Sequence, residues 1–192
     1  MSVSARGTAT TEDPLAELMA RVTHGDEEAF ADLYDHGAGQ VFGLVRQIVH
    51  DPVRVEEVYQ EIWVQVWRSA DRYDPADGPV MPWIMTVAHR RAVDRVRSER
   101  FRERPADSGS AFPFEPAGDS VAEHAEYRAV RHGLSTLTKP QYDSVQRAYF
   151  GGLTHGELGE ESGVPAPTVE TWIRDGLIRL RDCLQRPGPL RS

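Results

Sequence analysis

The sequence predicts an all-α protein of two small helical domains joined by a flexible linker, and three observations carry that expectation. Apolar residues recur at helical spacing in nearly every segment, while strand signals are scarce. Helix-start signals punctuate the chain, among them Asp13-Pro14, Asp26 and two Thr-x-x-Gln/Glu boxes. Between residues 101 and 125 the composition turns to Pro, Gly and Ser with scattered acids, the make-up of a tether.

Asp13 and Pro14 open a short helix carrying Leu15, Leu18, Met19 and Val22. Asp26 opens the next, with Phe30, Leu33 and Tyr34. The Gly37-Ala38-Gly39 stretch leaves two alternatives, a break or a continuous helix, before Val41, Leu44, Val45 and Ile48 resume the pattern. A helix over 53–69 sets Val55, Val58, Tyr59, Ile62, Trp63 and Val66 inward and Glu57, Gln60, Glu61 and Arg68 outward. Trp63 and Trp67 read as core. After a turn-rich stretch, 71–82, a helix over 83–97 carries Met85, Ala88, Ala92 and Val96 on one side. Val87, Arg90, Arg91, Asp94 and Arg97 lie around its other side, and His89 falls towards the buried face as a packed histidine.

In the second domain, Thr138 with Gln141 and Thr154 with Glu157 form capping boxes, each marking a helix start. The helix from Thr154 is short and is stopped by Gly163; a longer one follows over 167–184. Short helix, glycine turn and longer helix make a helix-turn-helix pattern over about 154–182. On the last helix Val169, Ile173, Leu177, Leu180 and Leu184 are expected as the core stripe. Thr168, Thr171, Trp172, Asp175 and Arg179 lie on the far side, with Arg174 and Arg181 at its edge, where they would reach a major groove. The same geometry also builds pure packing domains, and Glu160, Glu161 and Glu170 oppose phosphate.

The 192 residues carry 22 basic and 30 acidic side chains, a formal charge of −8. That average hides a bipolar layout. Between Asp26 and Glu61 nine acids face only Arg46 and Arg54, a balance of −7. Between Trp83 and Arg104 seven arginines, Arg90, Arg91 and Arg95 among them, outweigh three acids by +4. Basic side chains near Tyr73, Phe112 and Phe114 suit an unstacked single strand; a solvated face, with Asp94, Glu99 and Glu103 pairing at helical spacing, is the alternative. The one cysteine, Cys183, excludes an internal disulfide and reads as a small apolar residue near a helix end. No residue pattern fits a metal site, a catalytic dyad or a phosphate loop, so neither a cofactor nor a small-molecule substrate is expected. No apolar run approaches the roughly 18–20 residues a membrane span requires, and the first dozen residues show no export signal. Cytoplasmic residence is the resulting expectation.

Three runs of residues together resemble a known family. Glu56-Glu57-Val58-Tyr59-Gln60-Glu61-Ile62-Trp63, with Val66-Trp67-Arg68 and Ala70-Asp71-Arg72-Tyr73-Asp74-Pro75, is similar to the polymerase-binding helix of bacterial sigma factors of the extracytoplasmic-function class, and to the segment after it. The run from Trp83 to Arg97 resembles that family's promoter-melting helix. Tyr149-Phe150-Gly151-Gly152-Leu153-Thr154, Gly163-Val164-Pro165 and Ile173 to Arg181 resemble its fourth-domain helix-turn-helix. His89 to Arg97 and the Arg174-Asp175-Gly176-Leu177 ending most resemble the actinobacterial sigma-K-like subgroup.

The resemblance implies a sigma-2-like domain over 13–100, a linker over 101–125 and a sigma-4-like domain over 126–186, with tails at 1–12 and 187–192. It implies that Glu57, Gln60 and Glu61 dock on core RNA polymerase. Arg90, Arg91, Arg95 and Arg97 would handle the minus-ten element, and Thr168, Thr171, Trp172, Arg174 and Arg179 the minus-thirty-five element of promoter DNA. The acidic linker would thread towards the polymerase active centre, and an anti-sigma protein would hold the chain in check, in some cases at the membrane. One departure stands out: the family's usual Thr-Val-Lys-Ser/Thr-Arg is here Thr168-Val169-Glu170-Thr171-Trp172, which should weaken phosphate contacts and leaves two alternatives, a lower minus-thirty-five affinity or an altered base preference. Gly156 and Gly159 also stand where larger residues or alanine are common. Two rival readings are a helical adaptor that binds only protein and a stand-alone regulator with one helix-turn-helix.

Overall fold

The computed structural model describes residues 13–102 and 129–185. Helices α1 (Pro14–Val22), α2 (Glu27–Ile48), α3 (Pro52–Arg68) and α4 (Val80–Arg102) form a first group, with two one-turn 3-10 segments, Ala70–Arg72 and Pro75–Asp77, between α3 and α4. Helices α5 (residues 129–135), α6 (Lys139–Tyr149), α7 (His155–Ser162) and α8 (Ala166–Gln185) form a second. No strand occurs among the described residues.

One carboxylate starts two helices of the first group. Asp13 Oδ1 accepts from the Leu15 amide at 3.1 Å, capping α1, and its Oδ2 accepts from the Val80 amide at 2.7 Å, at the head of α4. Helix α4 has no acid in its own first turn, so Asp13 supplies the negative charge its N-terminal dipole favours. Asp26 and Asp51 cap α2 and α3 in the same way. The buried stripes Leu15, Met19 and Val22 on α1, Leu33, Val41 and Val45 on α2, Val58, Ile62 and Val66 on α3, and Ile84, Ala88 and Ala92 on α4 meet in one core.

Helix α2 passes through the Gly37-Ala38-Gly39 stretch without a break. Gly37 is buried, and a Cβ there would lie 3.1 Å from Trp63 Cη2 and 3.2 Å from Met81 Cε, so the glycine gives these two side chains room against the helix. Trp63 is buried and Trp67 half-buried. Phe30 meets both edge-on, with ring centres 6.1 and 5.0 Å away.

Helix α4 begins three residues before the expected 83 and continues to Arg102, into the segment expected as linker. Residues 103–125, with Phe112 and Phe114, lie outside the described residues, as do the tails. In the second group Leu158 and Val169 are buried, and Gly176 lets α8 cross close to α6, with Val145 Cγ2 3.2 Å from where a Cβ would stand. The expected α8 stripe is corrected: Leu177 is 52% exposed and Leu184 46%. The inner face runs instead through Val169, Ile173, Gly176, Leu180 and Cys183, because α8 rests on α6 at Gly176 and on Gly133, which lies near Leu180 and Cys183.

Candidate functional site

The acidic face of α3 and the arginine face of α4 are one surface. Glu57 and Glu61, a helical turn apart, meet Arg95 and Arg91, also a turn apart, in reversed order, so the two helices run antiparallel along a shared seam. Arg91 Nε and Nη2 lie 3.0 and 2.9 Å from Glu61 Oε2. Arg95 Nη2 donates to Glu57 Oε2, and its Nε lies 3.4 Å from Glu99 Oε1. Arg54 Nη1 lies 2.7 Å from the same Glu99 oxygen as an ion pair. Gln60, exposed beside this ladder, donates to Glu56 Oε1 at 3.1 Å.

Further along the seam the ladder opens into a cavity of about 380 Å³. Gln65 and Ser69 of the α3 end, Trp83 and Val87 of α4, and the charged Arg72, Arg90, Arg91 and Asp94 line it. An indole and an aliphatic side chain supply flat apolar contact, and the guanidiniums supply donors and positive charge. That combination suits an unstacked base with its phosphate. The wall is braced by Tyr73, whose hydroxyl donates to the Gly78 carbonyl at 2.9 Å and whose ring meets Trp83 edge-on at 5.8 Å. Burial, and then the charges of Asp13 and Asp74, push the Tyr73 phenol up.

Arg97 and His89 face the second helical group. His89 Nε2 lies 2.7 Å from the Tyr149 carbonyl oxygen, and its ring stacks on the Tyr149 ring with centres 4.0 Å apart. The packed histidine expected from the sequence therefore packs on the other group. Phe150 lies against the first core, and Gly152, at φ +63°, sits where a Cβ would be 2.8 Å from Val93 Cγ1 and 3.2 Å from Arg97 Cγ.

In the helix-turn-helix both halves of the Thr154 box are present. The Glu157 amide donates to Thr154 Oγ1 at 3.2 Å, and Glu157 Oε2 accepts from the Thr154 amide at 2.7 Å. The Thr154 amide, then the Thr154 hydroxyl, which donates to the same Oε2 at 2.7 Å, and the charges of Arg97 and Arg100 hold the Glu157 carboxyl below the usual range. Gly163 turns the chain at φ +68°, a left-handed conformation that favours glycine. On α8 Thr171 and Arg174 are exposed and Thr168 and Trp172 half-buried. Thr171 Oγ1 donates to the Pro167 carbonyl, and Arg174 Nε lies 3.7 Å from Asp175. Arg179 turns back to its own group, donating to the Thr136 carbonyl at 3.4 Å. Glu170 is exposed and Glu161 pairs with Arg147.

Sequence reading missed Arg54 as part of this surface, placed Arg72 and Trp83 only within the turn-rich stretch and helix that the resemblance links to unstacked minus-ten bases without singling either out, and treated the acids and arginines as separate faces. The signal was present in the matched four-residue spacings of Glu57/Glu61 and Arg91/Arg95. It becomes legible once α3 and α4 are known to be antiparallel neighbours. Among the described residues no cluster of His, Cys, Asp or Glu is arranged to hold a metal ion, and no helix is long and apolar enough to cross a membrane.

The Sigma-70 region 2 family matches residues 33–102, a span that contains the α3–α4 seam. Across nearly the whole chain there are curated relatives. The chain is 38% identical over 174 residues to the ECF RNA polymerase sigma factor SigK of Mycolicibacterium vanbaalenii, covering 88% of this chain and 89% of that one. It is 40% identical over 174 residues to the protein of the same name from Mycobacterium tuberculosis H37Rv, covering 88% and 93%. The chain belongs to the extracytoplasmic-function (ECF) family of RNA polymerase sigma factors. Within that family it is SigK-like. Among solved structures it is similar to Rhodobacter sphaeroides SigE in complex with the anti-sigma ChrR, at 31% identity and a TM-score of 0.44, over 90% of this chain and 97% of that one.

Proposed function

We propose that the chain recruits core RNA polymerase to specific promoters and starts transcription there, with the polymerase supplying all the chemistry. The observation that carries this reading is the α3–α4 surface, where exposed carboxylates and a cavity ringed by Trp83, Arg72, Arg90 and Arg91 lie along one seam. In this reading Glu57, Gln60 and Glu61 dock on a basic polymerase surface. Arg90, Arg91, Arg95 and Arg97 serve the minus-ten element, with the cavity receiving an unstacked base. Thr168, Thr171, Trp172 and Arg174 read the minus-thirty-five element in the major groove. Arg179, tied to Thr136, contributes from the edge of that surface. Weak contacts from two helical groups held on one polymerase then add through effective concentration. An anti-sigma protein is the further partner, and the cytoplasm the compartment, that this role implies.

The test is a pull-down with core polymerase followed by promoter-dependent run-off transcription. Arg90→Ala with Arg91→Ala should leave polymerase binding intact and reduce promoter opening by about tenfold or more, since each charge-assisted contact is worth about 1.5–3 kcal/mol. Unchanged opening would sink the single-strand role. Polymerase binding without transcripts on any promoter would instead favour a protein-binding adaptor.

A further inference from the structure

Glu57 and Glu61 are the side chains proposed to meet a basic polymerase surface, and Arg91 and Arg95 are proposed to meet DNA, yet here they meet each other. We propose that the ladder is a charge mask. In the free protein Glu57 and Glu61 hold Arg91 and Arg95 away from nucleic acid, and a basic partner surface that takes the two carboxylates frees the Arg91 fork and Arg95 Nη2 for phosphate. The identity of the two partners rests on the function proposed above, whereas the mask itself rests on the ladder.

The geometry makes the two uses of each side chain exclusive. Arg91 presents Nε and Nη2 to Glu61, which is the edge of the guanidinium fork that would grip a phosphate bidentately. On Arg95 the same edge is divided between Glu57 and Glu99. Glu99 is itself held by Arg54 at 2.7 Å, so it remains in place as a second anion beside Arg95. Arg90, one residue from Arg91 and lining the cavity, carries no ion pair among the described residues, so the mask covers some of the arginines and spares the one at the cavity wall.

Exposed pairs of this kind are weak, and weakness suits the role. A tight ladder would hold its arginines against any partner, whereas two weak rungs yield to a surface that offers the glutamates better company. The coupling is reciprocal by linkage: whatever factor polymerase adds to single-strand affinity through these residues, the strand adds to polymerase affinity.

The experiment is a fluorescence-anisotropy titration of the full-length protein with a fluorescein-labelled oligothymidine of about 15 nucleotides at low salt. Glu57→Gln with Glu61→Gln should bind about 3- to 10-fold more tightly than wild type. Glu61→Gln alone should give a smaller gain in the same direction. Asp32→Asn with Asp35→Asn removes the same charge from exposed positions on α2 and should gain less than about twofold. Adding Arg91→Gln and Arg95→Gln to the Gln pair should abolish its gain. Equal gains in the Gln pair and the α2 control would overturn the mask and assign the effect to net charge. A gain that survives loss of the arginines, or no detectable binding by the Gln pair, would also overturn it. Core-polymerase affinity, measured separately on the same proteins, keeps the two readings apart. A Gln pair that tightens on the oligonucleotide but binds polymerase as wild type does would overturn the docking role and, with it, the release step of the mask.

Discussion

Two glycines on one short helix show how much a single position depends on its surroundings. Gly156 and Gly159 both stand in α7 where the family often has alanine or larger, and helix propensity alone favours alanine at each by about 1 kcal/mol. Around Gly156 the nearest atom to an added Cβ is Thr154 Oγ1 at 3.9 Å, which is ordinary contact. Around Gly159 an added Cβ would lie 2.7 Å from the Val164 carbonyl oxygen and 3.2 Å from the Ala166 nitrogen, both backbone atoms of the turn. The Val164 amide also donates to the Gly159 carbonyl at 3.0 Å, so the turn has little freedom to move away. Gly156→Ala should therefore stabilise the helix-turn-helix by about 0.5–1 kcal/mol, and Gly159→Ala should destabilise it by about 1–3 kcal/mol. Urea denaturation of the two variants checks this, and stabilisation by both would refute the close-approach argument. The sequence marks both positions as departures from the family. Only the path of the turn separates them.

At the scale of an element, helix starts were legible and helix faces only partly so. The Thr154 box forms as its spacing implies, because both partners lie within one turn and need nothing from the rest of the fold. Its carboxylate yields a pH test. Glu157 is held below its ordinary range chiefly by the Thr154 amide and then by the Thr154 hydroxyl. A depressed folded-state value means that its contribution is full above the ordinary range, about 4.3 for glutamate, and is lost as pH falls through the lower folded value. The Thr154 amide resonance should therefore titrate with a midpoint below 4.3, and the Glu157→Gln variant should lose that transition; a midpoint at or above 4.3 would contradict the assignment. The face of α8, by contrast, was misjudged. Leu177 and Leu184 each follow an inner-face residue, Ile173 and Leu180, by four, where the face itself steps by three, and the extra residue turns each side chain a further 100° around the cylinder. Close approaches at Gly176 and Gly133 show which way α8 is turned, and a glycine has no apolar side chain to advertise that face.

For the whole molecule the decisive feature is how the two helical groups meet. Tyr149, Phe150 and Gly152 of the second lie against His89, Val93 and Arg97 of the first. The family resemblance includes a Gly-Gly turn after α6, and here that turn brings backbone against α4. Gly152→Ala combines a left-handed backbone cost of about 1–2 kcal/mol with a clash against Val93 Cγ1. It should open the contact between the groups, seen as a longer distance between fluorophores placed on α1 and α8, without lowering the unfolding temperature of the first group. Adding Val93→Ala removes the clash and should bring the fluorophores partly back together. An unchanged distance in Gly152→Ala would mean that the turn does not govern the contact.

Read from the sequence alone, the all-α class, the helix starts, the helix-turn-helix and the charge blocks were all accessible, because each is written in neighbours a few residues apart. The formal charge of −8 was accessible too, and it concealed the acids and arginines that neutralise each other across one seam. Which acid meets which arginine depends on packing α3 antiparallel to α4, over 30 and more residues of chain. The cavity beside the seam and the docking of Tyr149 on His89 depend on long-range placement of the same kind. Local spacing determines where a helix begins and what it carries. Only the tertiary structure decides which of those side chains are already engaged with one another before a partner arrives.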